Sequence, residues 1–235
     1  MKNSTNSLQF KDIVLFMDPE NRSSKDNFLK TITRYIKSQT HLPNRFSYSG
    51  SDNDLSRVLT LKENLSFEGL LSNGESIEDF NLAKHISDIH NPYLLKLFKC
   101  LPDKDTHIDK LDKSQLKLAS LIKALLKESP VYILEKPDEN LDKKTVAMVQ
   151  QAIDHLTRLK NKIFIIKANS QSLWHNMANK ILYKHNKGNF QLAVLPAQQL
   201  LDNFDSFIKQ EDLSSDATEE TVLNFKNIPE HLIAK

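Results

Sequence analysis

Residues 111–142 read LDKSQLKLASLIKALLKESPVYILEKPDENLD, and the order of patterns within this stretch decides the fold. Leu118, Leu121, Ile122, Leu125 and Leu126 recur at helical spacing, and Ser129-Pro130 then interrupts the chain. Val131-Tyr-Ile-Leu134 follows as a short apolar run of the kind that a sheet buries on both faces. The next segment repeats the unit. Val146, Val149, Ala152, Ile153 and Leu156 mark a helix over 143–160, and Ile163-Phe-Ile-Ile166 is a second apolar run. Strands that alternate with helices predict an α/β fold, a parallel sheet flanked by helices.

Outward from this stretch the same alternation continues. Ile13-Val-Leu-Phe-Met17, bounded by Lys11-Asp12 and Asp18-Pro19, predicts a buried strand, and Phe28, Leu29, Ile32, Tyr35 and Ile36 predict a helix over 26–38. Residues 38–54, with Pro43, Gly50 and many Ser and Asn, read as loop. Ile77, Phe80, Ala83, Ile86 and Ile89 share a helical face over 77–90, and Asn91-Pro92 opens a short helix through Phe98. A further strand is expected at Ile181-Leu-Tyr183, ending near Gly188. From 195 onward Leu200, Leu201, Phe204, Phe207 and Ile208 suggest an amphipathic helix. Residues 211–220 then carry five acids and no base, the composition of a solvated linker. The final apolar residues, around Val222–Pro229, read as a docking peptide.

Composition narrows the function. With 39% hydrophobic residues in 235, the chain can bury a sizeable core, and a net charge of +2 gives no case for wrapping nucleic acid. The excess of Lys over Arg and the abundant Asn resemble the usage of AT-rich bacterial genomes. One cysteine, Cys100, excludes an internal disulfide, and no CxxC or HExxH spacing points to a metal, so no metal is expected and the cytoplasm is the expected compartment. No run approaches the ~20 apolar residues of a membrane helix, so membrane contact is expected only indirectly, through partners at its inner face. Only four glycines occur. A chain of this length carries about sixteen at the usual ~7%, which disfavours a glycine-built phosphate loop.

The stretch 111–142 resembles, without a gap, the signature-to-D-loop block of ATP-binding-cassette (ABC) ATPases: an LSGGQ signature, an ARAL helix, an apolar strand ending in DEP, and a closing LD. Thr60-Leu-Lys-Glu-Asn-Leu65 is similar to the family's T-I/L-R-E-N-I segment, and Leu101-Pro-Asp-Lys-Asp-Thr106 to its LPDG-D-T stretch. Both lie in the family's helical subdomain and are closest to the exporter and type I secretion branch. The resemblance spans roughly residues 8–190. It implies a P-loop NTPase-like domain over 1–194, with a helical subdomain at about 64–128, a reduced β-subdomain, and a C-terminal helix and acidic tail over 195–235.

The same resemblance implies a broken active site. Walker A loops bind phosphate through glycine-enabled backbone N–H groups, a Lys and a Ser/Thr. Residues 18–25 contain no glycine; Lys25 stands for the lysine if one residue is inserted, and Asp26 then takes the Ser/Thr position. Glu135 takes the Walker B carboxylate position, which in the family meets Mg²⁺. Lys136 replaces the catalytic Glu, and a lysine is no general base at neutral pH, a role worth ~10²–10⁴ in rate. Asn169 takes the switch His position and Ser51 the Q-loop glutamine. The signature becomes Leu111-Asp-Lys-Ser-Gln115, in which Asp112 repels phosphate but suits a helix N-cap, while Ser114 and Gln115 hold the remaining positions. Asp142 keeps the D-loop aspartate, although an N-cap is the plainer reading.

The expectation is therefore a pseudo-ATPase: not an enzyme, with no cofactor and only vestigial nucleotide positions. It would act as an adaptor or scaffold among protein subunits of a bacterial transport or secretion complex, a type IV secretion coupling complex being one candidate. The alternative is a nucleotide-binding subunit of a heterodimeric ABC ATPase with a degenerate site. A DNA-binding relative is a third reading, and it lacks a basic stripe. Candidate partner anchors are Trp174, Phe204, Phe207 and Phe225, Trp174 being also a candidate edge-of-core residue. His85 and His90 are expected to be solvated on a helix, and Cys100 to be buried.

Overall fold

The computed structural model describes residues 7–17, 25–43, 45–50, 54–66, 81–184 and 190–193. All of these belong to the first of two units into which the chain divides, Met1–Ala197. The expected terminal helix and docking peptide, with Phe204, Phe207 and Phe225, lie outside the described residues.

Strand β1 is Ile13–Met17, and helix α1 spans Lys25–Ser38. Strand β2 is Phe46–Ser49, and helical residues 61–66 form α2. Helices α3 (Leu82–Asp88), α4 (Pro92–Lys99) and α5 (Lys113–Leu126) lead to strand β3, Val131–Glu135. Helix α6 (Lys143–Lys160) and strand β4 (Ile163–Lys167) follow, and then the single turn α7 (Gln171–Trp174). Strands β5 (Lys180–Lys184) and β6 (Phe190–Ala193) complete the series.

The sheet order is β2-β3-β4-β1-β5-β6. The first five strands run parallel and β6 pairs antiparallel with β5. Every residue of β1 and β3 is buried, as continuous apolar runs require when helices cover both faces. One core layer joins Phe28, Ile32 and Ile36 of α1 to Val14, Ile133 and Ile165 of the sheet. At the entry to β1, Asp12 and Lys180 form a buried ion pair at 2.7 Å, and Asp12 also accepts from the Gln9 amide.

Helices α5 and α6 begin where aspartates sit. The Asp112 carboxylate accepts from the Gln115 amide at 2.8 Å while the Gln115 side chain accepts from the Asp112 amide, a reciprocal capping box. Asp142 accepts from the Thr145 amide at 2.9 Å. At α4, Asn91 accepts from the amides of Tyr93 and Leu94, and Pro92 occupies the first helical turn, where a missing N–H costs nothing.

Four expectations need correction. Residues 38–54 are not all loop: Phe46–Ser49 is a strand, and its inward positions are serines, which the apolar-run criterion cannot see. Ser47 and Ser49 are nonetheless buried, donating to the Ala124 carbonyl and pairing with the Ser120 hydroxyl. Cys100 is exposed, because it follows the last turn of α4 rather than facing the core. His90 lies beyond the end of α3 in a left-handed turn (φ 55), not on the helix. Trp174 is only 1% exposed, so its ring belongs to the core and offers no exposed anchor; the edge-of-core reading is the one its burial fits.

Candidate functional site

In a parallel sheet the carboxyl ends of the strands open on one side, and there the loops converge into a site. Parallel pairing aligns Glu135 with Lys167, and Ser49 with Leu134, so the ends of β2, β3 and β4 meet. Helix α1 starts at Lys25 after the β1 end, while residues 18–24, Ser51 and the Lys25 side chain lie outside the described residues.

Glu135, 6% exposed, is held on both carboxylate oxygens. Tyr48 donates its hydroxyl to Oε2 at 2.7 Å, and Lys167 approaches Oε1 with its Nζ at 3.3 Å. The Lys167 ammonium also lies 4.9 Å from the centre of the ring of Phe28, a buried residue in the first turn of α1. Its charge is therefore satisfied by an anion and an aromatic face. A divalent cation at Glu135 would sit roughly 5 Å from this ammonium, a repulsion of about 7 kcal/mol at an effective dielectric of about 20.

Behind this pair is a second cation that sequence reasoning passed over. Lys117 of α5 is 3% exposed and donates to the carbonyls of Gly50 and Glu135, both at 2.7 Å. Burial lowers its pKa, opposed by Glu139, Asp54, Glu135 and Asp138. It thereby ties the segment after β2 to the end of β3. The signal was present: Lys117 lies four residues before Leu121 and eight before Leu125, on the apolar stripe. Nearby, Asp54 accepts from the Gly50 amide at 2.6 Å and from Ser120 at 3.2 Å, and burial raises its pKa against these bonds.

Lys136 has a left-handed backbone (φ 48), and its amide donates to the Lys167 carbonyl at 2.5 Å. Its Nζ lies 3.4 Å from Glu139, a half-exposed contact between residues three apart. Asp138 was not singled out from the sequence either. It is buried and receives the amides of Asn169 and Ser170 at 2.8 and 2.6 Å, which fixes the turn after β4. The Asn169 side chain is exposed. Thus Glu135, Lys136 and the Asn169 turn are brought together through Lys167 and Asp138. Asp112 and Gln115 are joined to each other at the start of α5, with Ser114 between them half-buried in its first turn. Asp142 is bonded to Thr145, whose amide and hydroxyl lower its pKa. Among the described residues no cluster of three His, Cys, Asp or Glu side chains is placed to hold a metal.

No protein-family model and no curated protein matches the chain. Solved structures do. A dimeric ATP-binding cassette, MJ0796, in a post-hydrolysis state bound to ADP and Pi, matches with a TM-score of 0.60 at 16% identity, over 75% of this chain and 82% of that one. The ATP-binding subunit of an ABC transporter matches with a TM-score of 0.58 at 14% identity, over 88% of each chain. RNase-L Inhibitor matches at 0.57 and 15% identity, over 85% of this chain and 37% of its own. The chain has the fold of an ATP-binding cassette. At this identity the likeness is one of fold, and what the chain does rests on its own residues. No described helix of the chain is long and apolar enough to cross a membrane.

Proposed function

We propose that this cassette is a non-catalytic subunit, an adaptor that uses the ABC ATPase fold to hold protein partners in a bacterial transport or secretion complex on the cytoplasmic side of the membrane. The observation that carries the reading is Glu135: both its oxygens are engaged, by Tyr48 and Lys167. A carboxylate committed to an internal ammonium is a poor Mg²⁺ ligand, and Lys136 beside it adds positive charge where a hydrolytic base would stand. The capping box at Asp112 and Gln115 supports the same reading, since it turns the signature segment toward helix stability.

The test is titration calorimetry of the full chain with Mg-ATP, paired with a phosphate-release assay. No heat of binding and no release are expected. Saturable micromolar binding would overturn the reading in favour of the second one, a nucleotide-binding subunit whose partner supplies the intact motifs. That alternative draws on one observation, the start of helix α1 at Lys25. Repeating the titration with any ATPase that copurifies separates the two. Lys136→Glu is expected not to restore hydrolysis, because Glu135 remains tied to Lys167.

A further inference from the structure

Glu135 closes the carboxyl end of β3; at the opposite, amino-terminal end of the sheet the chain enters β1 and β4 side by side. The Lys11 amide donates to the Lys162 carbonyl at 3.1 Å, and the Phe164 amide to the Asp12 carbonyl at 2.9 Å. Residues 10–11 and 159–162 therefore share one rim, at the start of two strands in the middle of the sheet. Three lysines stand there: Lys11 and Lys160 are exposed, and Lys162 is half-buried. Among the described residues none of the three ammonium groups makes a hydrogen bond or closes an ion pair. Burial lowers the Lys162 pKa; Glu128 opposes this, and Arg45 and Lys160 add to it. Arg45 is committed to the Glu128 carbonyl at 2.8 Å, which leaves the three lysines as the available cations of the rim.

The same rim exposes apolar side chains. Of the three large hydrophobic residues that are exposed among the described residues, two are here: Phe10 at 50% and Leu159 at 66%. Each directly precedes a lysine, Lys11 and Lys160. The dipole of α6 accounts for a lysine in its last turn, but not for a leucine in solvent beside it. Paired apolar and basic side chains suit a surface that is anionic outside and apolar just beneath, where a lysine stem lies along the boundary and its ammonium meets phosphate. An added polypeptide strand has no purchase here, since β1 and β4 are paired on both sides. We propose that the rim formed by Phe10, Lys11, Leu159, Lys160 and Lys162 rests on an anionic bilayer, with the lysines at the lipid phosphates and Phe10 and Leu159 entering the acyl boundary. This goes beyond the adaptor reading and does not depend on it, because the rim is at the other end of the strands from Glu135 and would meet lipid whether or not ATP binds. It gives the chain a direct contact with the membrane, where the sequence predicts contact only through partners.

The experiment sediments the full chain with vesicles of equal parts phosphatidylglycerol and phosphatidylcholine, beside vesicles of phosphatidylcholine alone. A poly-Glu peptide and a DNA duplex are titrated as competing ligands. Saturable binding to the anionic vesicles alone is expected. It should weaken about twentyfold in K11Q/K160Q, as for two cations withdrawn from an anionic surface, and about tenfold in F10S/L159S, as for lost apolar burial. Both variants change only exposed residues, and circular dichroism checks that they fold. In Phe10→Trp the emission should shift to shorter wavelength on the anionic vesicles and be quenched by brominated acyl chains, against the constant background of the buried Trp174. No binding to anionic vesicles, equal binding to phosphatidylcholine, full affinity in either folded double variant, or an unshifted emission in Phe10→Trp would each overturn the proposal. So would poly-Glu or DNA binding as tightly as the vesicles and weakening equally in K11Q/K160Q, which would make the rim a site for an acidic protein or a nucleic acid.

Discussion

At Glu135 the decisive quantity is the cost of an unpaired charge. Removing one partner of a buried ion pair strands the other and costs about 3–5 kcal/mol, whereas replacing both by apolar groups of similar volume is often neutral. Lys167→Met should therefore destabilise the protein by about 2–3 kcal/mol, somewhat less than the full cost because Tyr48 still donates to Glu135. The double variant E135M/K167M should recover most of that loss. Urea unfolding of the two variants and the wild type measures both. Unchanged stability in Lys167→Met would show that the pair contributes nothing to the fold. Lys117 follows the same logic through its two carbonyls. Lys117→Met leaves the carbonyls of Gly50 and Glu135 unpaired and should cost about 2 kcal/mol. Because burial lowers the Lys117 pKa, its ammonium is a cost at neutral pH that is relieved as pH rises toward the unfolded value of 10.5. The wild type should gain on K117M over that window.

Among the elements, the aspartates at 112 and 142 carry the clearest consequence of local chemistry. Asp112→Ala removes the carboxylate that accepts from the Gln115 amide, while the bond from the residue 112 amide to the Gln115 side chain can remain, and should lower stability by about 1 kcal/mol, with Asp112→Asn close to neutral. Chemical denaturation of the three proteins checks it. This device was legible in the sequence, since Asp112 precedes an apolar run and Gln115 follows three residues later. So were β1, β3, β4 and α6, whose apolar residues form unbroken runs in the strands and recur three or four apart along the helix. What escaped was polar burial. β2 hides behind Ser47 and Ser49, and Lys117 and Asp138 are charged residues whose partners are backbone groups far along the chain. Pattern reading scores them as surface because nothing local shows the carbonyl or amide that satisfies them. For the candidate site, the sequence placed Glu135 and Lys136 at the end of an apolar strand, while the ties among Glu135, Tyr48 and Lys167 needed the strand order.

Across the whole molecule, two tyrosines report on whether the core opens as one body. Tyr132 is on a central strand, stacked on Phe164 with ring centres 4.7 Å apart, and Tyr35 lies in the core layer between α1 and the sheet. Burial raises each pKa from 10.0 to about 12, with Asp12 adding to the effect at Tyr35 and Glu128 at Tyr132. A raised phenol pKa means that the unfolded chain loses its proton first. The stabilising contribution is therefore complete below pH 10 and is lost as pH climbs through about 12. Two units correspond to on the order of 2–3 kcal/mol for each ring. Alkaline titration should show the remaining accessible phenols ionising first. The Tyr35 and Tyr132 phenolates should then appear in one step, together with loss of the far-ultraviolet dichroism. Tyr132→Phe should remove about half of that second step and flatten the alkaline slope of stability, despite forfeiting the bond from its hydroxyl to the Lys127 carbonyl. If the two rings ionised gradually while the dichroism held, the layer around α1 would be opening independently of the central strands, and the sheet and its helices would not unfold as one cooperative unit.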